Sequence, residues 1–263
     1  MEERRIAPRT TGLFARRLST RVNERIYAIG DIHGRLDLFV EILRLIEQDC
    51  AVRRGDGAVP SIIVLGDFID RGPQSRELVE LLRKSTELAH ITVLLGNHEA
   101  CLLDCANGRA DPRDGWLDFG GAATLESYGI APPREDEDCL DFAARLTEAV
   151  GRDTLDWLSG LPLSVRSGGY LFVHAGIRPR VPLAKQSRED LLWIRKPFLD
   201  SRWDHGMAIV HGHSISDEID IAANRIGIDT GAYATGRLTA LGLAGEEIWW
   251  LQTGEETAGD AYG

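Results

Sequence analysis

The order of apolar runs along the chain predicts an α/β fold, a parallel sheet with helices on its faces and a second sheet packed on it. Three observations carry this. Short apolar runs ending in Gly alternate with helical periodicity in the N-terminal part, β-rich runs crowd the C-terminal part, and chemically loaded motifs recur at the strand ends. Residues 25–29 are an apolar run ending in Gly30-Asp31, a buried strand. Over 36–47, Leu36, Phe39, Val40, Leu43 and Ile46 keep helical spacing. Ser-Ile-Ile-Val-Leu at 61–65 is the next strand, 75–85 the next helix and 91–95 the third strand, ending at Gly96. Such a β-α-β-α-β series folds into parallel strands whose carboxyl ends line one edge. The runs at 170–173, 208–210, 225–228, 238–243 and 247–251 are read as strands of the second sheet.

From His98 to Leu163 the alternation stops. Helical stretches at 100–106, 139–150 and 153–158, a turn-rich 107–115, Pro132-Pro133 and the acidic 135–138 read as a mainly helical insertion at about 100–163. It is either a plain cover over the sheet or a substrate-contacting lid. The domain is expected over 25–252. Residues 1–24, with Arg4, Arg5, Arg9, Arg16, Arg17 and Arg21, read as a basic flexible tail, either simply solvated or an anchor for an anionic partner. Residues 253–263 read as a second flexible end.

Composition narrows the function classes. The 263 residues are 43% hydrophobic, enough for one large core. A net charge of −11 argues against nucleic-acid partners, which call for basic surface. Cys50, Cys101, Cys105 and Cys139 show no CxxC spacing and read as reduced, partly buried thiols. No stretch is apolar and long enough to span a bilayer and no signal-peptide core is present, so a cytoplasmic location is expected. The oligomeric state is left open.

The strand ends carry the chemistry: Gly30-Asp31-Ile32-His33-Gly34, Gly66-Asp67-Phe68-Ile69-Asp70-Arg71-Gly72, Gly96-Asn97-His98-Glu99, Val173-His174-Ala175-Gly176 and His211-Gly212-His213. Taken singly, Asp31 or Asn97 could cap a helix, and any one histidine could be structural. Caps and turns do not explain histidines and carboxylates gathered at so many strand ends. A donor set of carboxylate, imidazole and carboxamide without thiolate suits two divalent ions such as Mn, Fe or Zn. The reading is a metal-dependent phosphoester hydrolase, in which two cations activate a bridging water that attacks phosphorus in line with the ester oxygen.

These motifs, in this order and spacing, resemble the phosphoprotein phosphatase branch of the calcineurin-like metallophosphoesterases. The resemblance runs over about residues 25–250 and implies a two-sheet sandwich flanked by helices. It implies Asp31 and His33 on one metal, Asn97, His174 and His213 on the other, and Asp67 bridging both. It further implies His98 as general acid, oriented by Asp70, with Arg71 and Arg195 as phosphate clamps and Asn97 counted among the phosphate contacts. For Arg195 a surface salt bridge stays open, with Arg188 and Lys196 as nearby alternatives. Arg178 and Arg180 are further cations expected close by.

His211 is read as a structural histidine or a support behind the ligands. Tyr233 either lines the site or packs in a turn, and Trp116 with Gly120-Gly121 either faces substrate or fills the core. The expected activity is a serine/threonine protein phosphatase of bacterial type, acting on phosphorylated proteins or peptides with two divalent metals, Mn foremost. The alternative is hydrolysis of symmetrical diadenosine tetraphosphate. A third reading, an idle phosphopeptide-binding protein, fits poorly with so complete a ligand set.

Overall fold

The computed structural model describes residues 4–5, 18–53, 59–88 and 90–254. In chain order, β1 (Arg4–Arg5), β2 (Glu24–Ile29), α1 (Leu36–Val52), β3 (Val59–Val64), α2 (Ser75–Ser85) and β4 (Ile91–Val93) come first. The insertion follows with α3 (Asn97–Ala106), a π-helical turn at Leu117–Gly121, α4 (Ala122–Ser127), α5 (Cys139–Val150) and α6 (Arg152–Ser159). Then come β5 (Ser164–Ser167), β6 (Tyr170–Val173), α7 (Arg188–Trp193), α8 (Lys196–Leu199), β7 (Ala208–His211), β8 (Asp220–Ile221) and β9 (Arg225–Gly227). The chain closes on α9 (Ala232–Thr235), β10 (Thr239–Ala244) and β11 (Glu247–Gln252).

Two sheets result, ordered β1-β11-β10-β2-β3-β4 and β5-β6-β7-β9-β8. β2, β3 and β4 run parallel, as do β6, β7 and β9, so both sheets deliver strand ends to one side. Strict alternation explains the layers. Ile26, Ala28, Ile63 and Leu65 of the first sheet meet Tyr170, Phe172, Ala208 and Val210 of the second in a core between the sheets. Tyr27, Ile29 and Val64 point the other way, into a core shared with α1, α2, α3, α5 and α6. Leu171, Val173 and Ile209 form a smaller core with Ile194 and Phe198 on the far side of the second sheet. The sandwich flanked by helices is therefore the observed architecture.

The hairpin of β10 and β11 departs from expectation. It joins the first sheet, with β10 antiparallel to β2, rather than the second. Nearness in sequence to β9 suggested otherwise, but the edge of β2 opposite β3 needs a partner for its backbone, and Leu241 and Leu243 fit the core between the sheets. β5, with the sequence Ser-Val-Arg-Ser, has no apolar run to announce it and forms an edge. The third strand ends at Val93, although Leu94 still donates its N–H to Val64 O at 2.8 Å.

Packing extends beyond both expected boundaries. Leu18 rests on the core between the sheets, and Thr20 N–H donates to Gly245 O at 3.0 Å. Arg4 and Arg5 pair their backbones with Trp250 and Trp249. At the other end Thr253 is buried, its N–H on Leu238 O at 3.0 Å. The rest of the expected tails, 1–3, 6–17 and 255–263, lies outside the described residues. All four cysteines are free thiols, Cys105 buried and the others half-buried. No described helix is long and apolar enough to cross a membrane.

Candidate metal centre

Each parallel strand hands one motif to the same cleft. Asp31 and His33 follow β2, Asp67, Asp70 and Arg71 follow β3, Asn97 and His98 open α3, and His174 and His213 follow β6 and β7. Asp31, His33, Asp67, Arg71, Asn97, His98, Arg195 and His213 all line a cleft of about 380 Å³. His33, Asp67, Asp70, Arg71 and His213 have positive φ between 48° and 69°. Such backbone costs a non-glycine residue about 1–3 kcal/mol, and its concentration at one site marks geometry held for function. Gly212 is obligatory here, because a Cβ would lie 2.0 Å from Asp31 Oδ1.

The donors converge on Asp67. Its Oδ2 lies 3.9 Å from His33 Nε2, 3.7 Å from His98 Nε2 and 3.4 Å from His174 Nε2. Two donor groups share it, His33/Asp67/His98 and Asp67/His174/His213, each with ligand atoms within 4.8 Å of one another. His33 Nδ1–H donates to Ile69 O and His174 Nδ1–H to Leu65 O, both at 2.9 Å. A carbonyl only accepts, so in each neutral ring the proton is on Nδ1 and the Nε2 lone pair faces the cleft. His174 Nε2 also lies 2.8 Å from Asn97 Oδ1. His213 Nε2 is buried with no hydrogen-bond partner. Imidazole nitrogens gathered around one buried carboxylate fit a pair of divalent cations.

Electrostatics agree. Burial pushes Asp31 well above the usual carboxylate range, and the charges of Asp229 and Asp67 add to it. Asp229 is raised by burial as well. Burial opposes the charge of Asp67 too, but His174 and His98 outweigh it and hold that carboxyl well below its ordinary value. His33 is pushed down to about 3 and His213 to about 2, burial being the main cause in both, so both imidazoles are neutral near pH 7. Asp31 stands slightly behind the donor groups and accepts the His213 N–H at 3.0 Å.

His98 is built differently. Its Nδ1–H donates to Asp70 Oδ2 at 2.6 Å. Asp70 in turn accepts from Trp116 Nε1 at 2.9 Å and Thr124 Oγ1 at 2.6 Å, while its own N–H donates to Ser75 and Thr124 hydroxyls. Burial lowers the His98 imidazole, yet Asp67 and Asp70 more than offset this and hold it above the ordinary histidine value. Its Nε2 lies 3.5 Å from Arg71 Nη2. Trp116 is thus buried and turned to Asp70, not to substrate.

Arg71 lies over the Tyr233 ring at 4.4 Å, and Tyr233 stands 5.4 Å from His33 at the rim. Arg195 is exposed on the cleft wall with no anionic partner among the described residues. Arg178 is instead tied to Asp190, and Arg180 lies over Trp203 in a separate hollow, so neither reaches the cleft. His211 donates or accepts no bond toward the cleft; it packs edge-on against Phe198 at 5.1 Å with burial lowering it to about 4.

Four contributors were not foreseen. Asp229 lines the cleft after β9; it is a carboxylate just past a strand like Asp31 and Asp67, but Ile228 stands where those two have a glycine. Glu99 accepts the N–H groups of Gly96, Asp67, Phe68 and Ile69 at 2.9–3.1 Å, fixing the loop that carries Asp67. Thr124 and Phe119 come from the insertion, where no motif marks them. The insertion is therefore both cover and wall: α3, α5 and α6 sit on the sheet while 116–124 reaches the site.

A model of the calcineurin-like phosphoesterase family matches residues 24–239. The symmetrical bis(5'-nucleosyl)-tetraphosphatase of Chromobacterium violaceum is 30% identical over 163 residues, covering 62% of this chain and 47% of that one. Its counterpart in Dechloromonas aromatica is 36% identical over 154 residues, 59% of this chain and 44% of that one. The chain thus matches less than half the length of these curated relatives. A crystal structure described as a candidate diadenosine tetraphosphatase superposes with a TM-score of 0.61 at 22% identity, covering 89% of this chain and 95% of the other. A cold-active protein tyrosine phosphatase superposes at 0.55 with 16% identity, over 88% of this chain and 76% of the other. At those identities the superpositions speak to the fold alone.

Proposed function

Since this chain belongs to the calcineurin-like phosphoesterase family, we propose that it hydrolyses symmetrical dinucleoside tetraphosphates in a reaction dependent on two divalent metals, manganese foremost. The observation that carries the substrate class is the curated relatives, named for that activity at 30–36% identity. This replaces the phosphoprotein reading. The net negative charge of the chain does not oppose an anionic substrate, because charges beyond about 10 Å are largely screened at physiological salt. What a polyphosphate meets at the cleft is Arg71 and Arg195.

His33, Asp67 and Asp31 would hold one cation, and Asp67, Asn97, His174 and His213 the other. When bound, such a pair supplies Lewis-acid charge and lowers the pKa of a water nucleophile toward neutrality. The chain's own residues do the rest. Arg71 and Arg195 engage phosphate oxygens and orient the chain of phosphates. His98, held by the Asp70 carboxylate that Trp116 and Thr124 fix in turn, presents Nε2 to the departing oxygen and gives it a proton.

The test is a comparison of kcat/KM on diadenosine tetraphosphate and a phosphothreonine peptide, at matched salt with manganese. The tetraphosphate is expected to be the better substrate by at least tenfold, about 1.4 kcal/mol of transition-state stabilisation. A preference of that size for the peptide would return the chain to the protein-phosphatase reading.

A further inference from the structure

Phe119 is 49% exposed and lines the cleft. A lone exposed aromatic needs no explanation; its setting here does. It lies in the turn Leu117–Gly121, which breaks at Gly120 just ahead of α4. The turn is fastened to the phosphate-binding arginine. Arg71 Nε donates to the Phe119 carbonyl at 3.3 Å and Arg71 N–H to the Gly120 carbonyl at 3.0 Å. Gly120 is required, with φ of 110° and a Cβ position only 2.5 Å from Arg71 Cγ. Behind the ring is Gly115, where a Cβ would lie 3.3 Å from Phe119 Cε2.

Trp193 on the cleft wall and Tyr233 beside the cleft are both engaged. Arg71 covers Tyr233, and Trp193 meets His213 edge-on at 6.3 Å. Phe119 keeps about half of its surface open beside the cation that takes a phosphate. A nucleotide whose phosphates engage Arg71 carries its ribose and base on along the wall that this ring lines. The chemistry that fits is flat, apolar-faced and uncharged. We propose that Phe119 is a nucleobase platform: one adenine of a dinucleoside polyphosphate stacks on it while a phosphate of the same ADP half is held by Arg71. The proposal rests on the dinucleotide reading above and adds the residue that distinguishes a nucleotide from bare polyphosphate.

The experiment measures binding of ADP and of inorganic pyrophosphate to manganese-loaded protein by calorimetry, beside turnover of diadenosine tetraphosphate, for wild type, Phe119→Ala and Phe119→Tyr. Expected are a wild-type preference for ADP, at least fivefold weaker ADP binding in the alanine variant with pyrophosphate unchanged, and retention in the tyrosine variant. KM for the tetraphosphate should rise by a similar factor with kcat little altered. Equal losses on both ligands, or none, would overturn the platform even if wild-type turnover upholds the dinucleotide reading. Conversely, a Phe119-dependent ADP preference without tetraphosphate turnover supports the platform and removes that reading. The melting temperature of the alanine variant controls for folding.

Discussion

Asp70 shows how one residue's partners define another's chemistry. Its two carboxylate oxygens take three donors, from His98, Trp116 and Thr124, so the imidazole behind which it sits can neither rotate nor change tautomer freely. In its proposed role of proton donor, His98 matters in proportion to the leaving group's need for a proton. An aliphatic alkoxide needs a proton; a nucleotide phosphate, whose second pKa is about 6, leaves with little help. His98→Asn is expected to lose roughly 10²- to 10⁴-fold in kcat on phosphoserine, and distinctly less on diadenosine tetraphosphate. Metal content by elemental analysis should be unchanged. Equal losses on the two substrates would assign His98 to metal binding, a role its place in a donor group with His33 and Asp67 makes testable.

At the scale of elements, the short helix α7 decides where Trp193 and Arg195 stand. Ser187 caps it by accepting the Asp190 N–H at 3.0 Å, and Asp190 then binds Arg178 Nε at 2.9 Å, pinning the helix to the segment after β6. The Arg178 hydrogen bond holds the Asp190 carboxyl below its ordinary value. A carboxylate lowered in the folded state stabilises above its unfolded pKa of about 3.9 and ceases to do so as pH falls through the folded value. Asp190→Asn should therefore lower the melting temperature at pH 7, and the gap from wild type should close below about pH 4. A gap independent of pH would mean that packing, not charge, fixes α7. The π-helical turn is the other decisive element, since it joins the insertion to Arg71 through two backbone acceptors.

At the scale of the molecule, the cleft joins the two sheets. Asp31, Asp67 and Asn97 come from the first and His174 and His213 from the second, so a cation bound among them ties the layers together. A ligand that binds only the folded state at 100 times its Kd adds about 2.7 kcal/mol, and each kcal/mol raises Tm by about 2–4 °C at this size. Manganese should therefore raise the melting temperature of chelated protein by about 5–10 °C and restore its hydrolytic activity together. Full activity in protein shown by elemental analysis to hold no metal would refute the metal-dependent reading.

The sequence by itself determined the strand-end chemistry and the parallel core of the first sheet. Both are written locally: apolar runs such as Ser-Ile-Ile-Val-Leu specify buried strands, and Gly-Asp or Gly-His pairs mark where parallel strands release the chain toward a ligand. Asp229 escaped this reading because Ile228, not glycine, precedes it at the end of its strand. What only the tertiary structure decided were contacts between distant segments. β10 pairs with β2 because that open edge needs backbone partners and the core between the sheets has room for Leu241 and Leu243, neither of which Leu-Thr-Ala-Leu-Gly-Leu announces by itself. Thr124 reaches Asp70 across 54 positions, and Phe119 reaches the cleft through a π-helical turn that no periodicity announces. Arg178 and Arg195 are both arginines after a site motif, yet one is neutralised by Asp190 while the other faces the cleft. Residue type and spacing encode donors and strands; which side chains meet is fixed by how the layers close over one another.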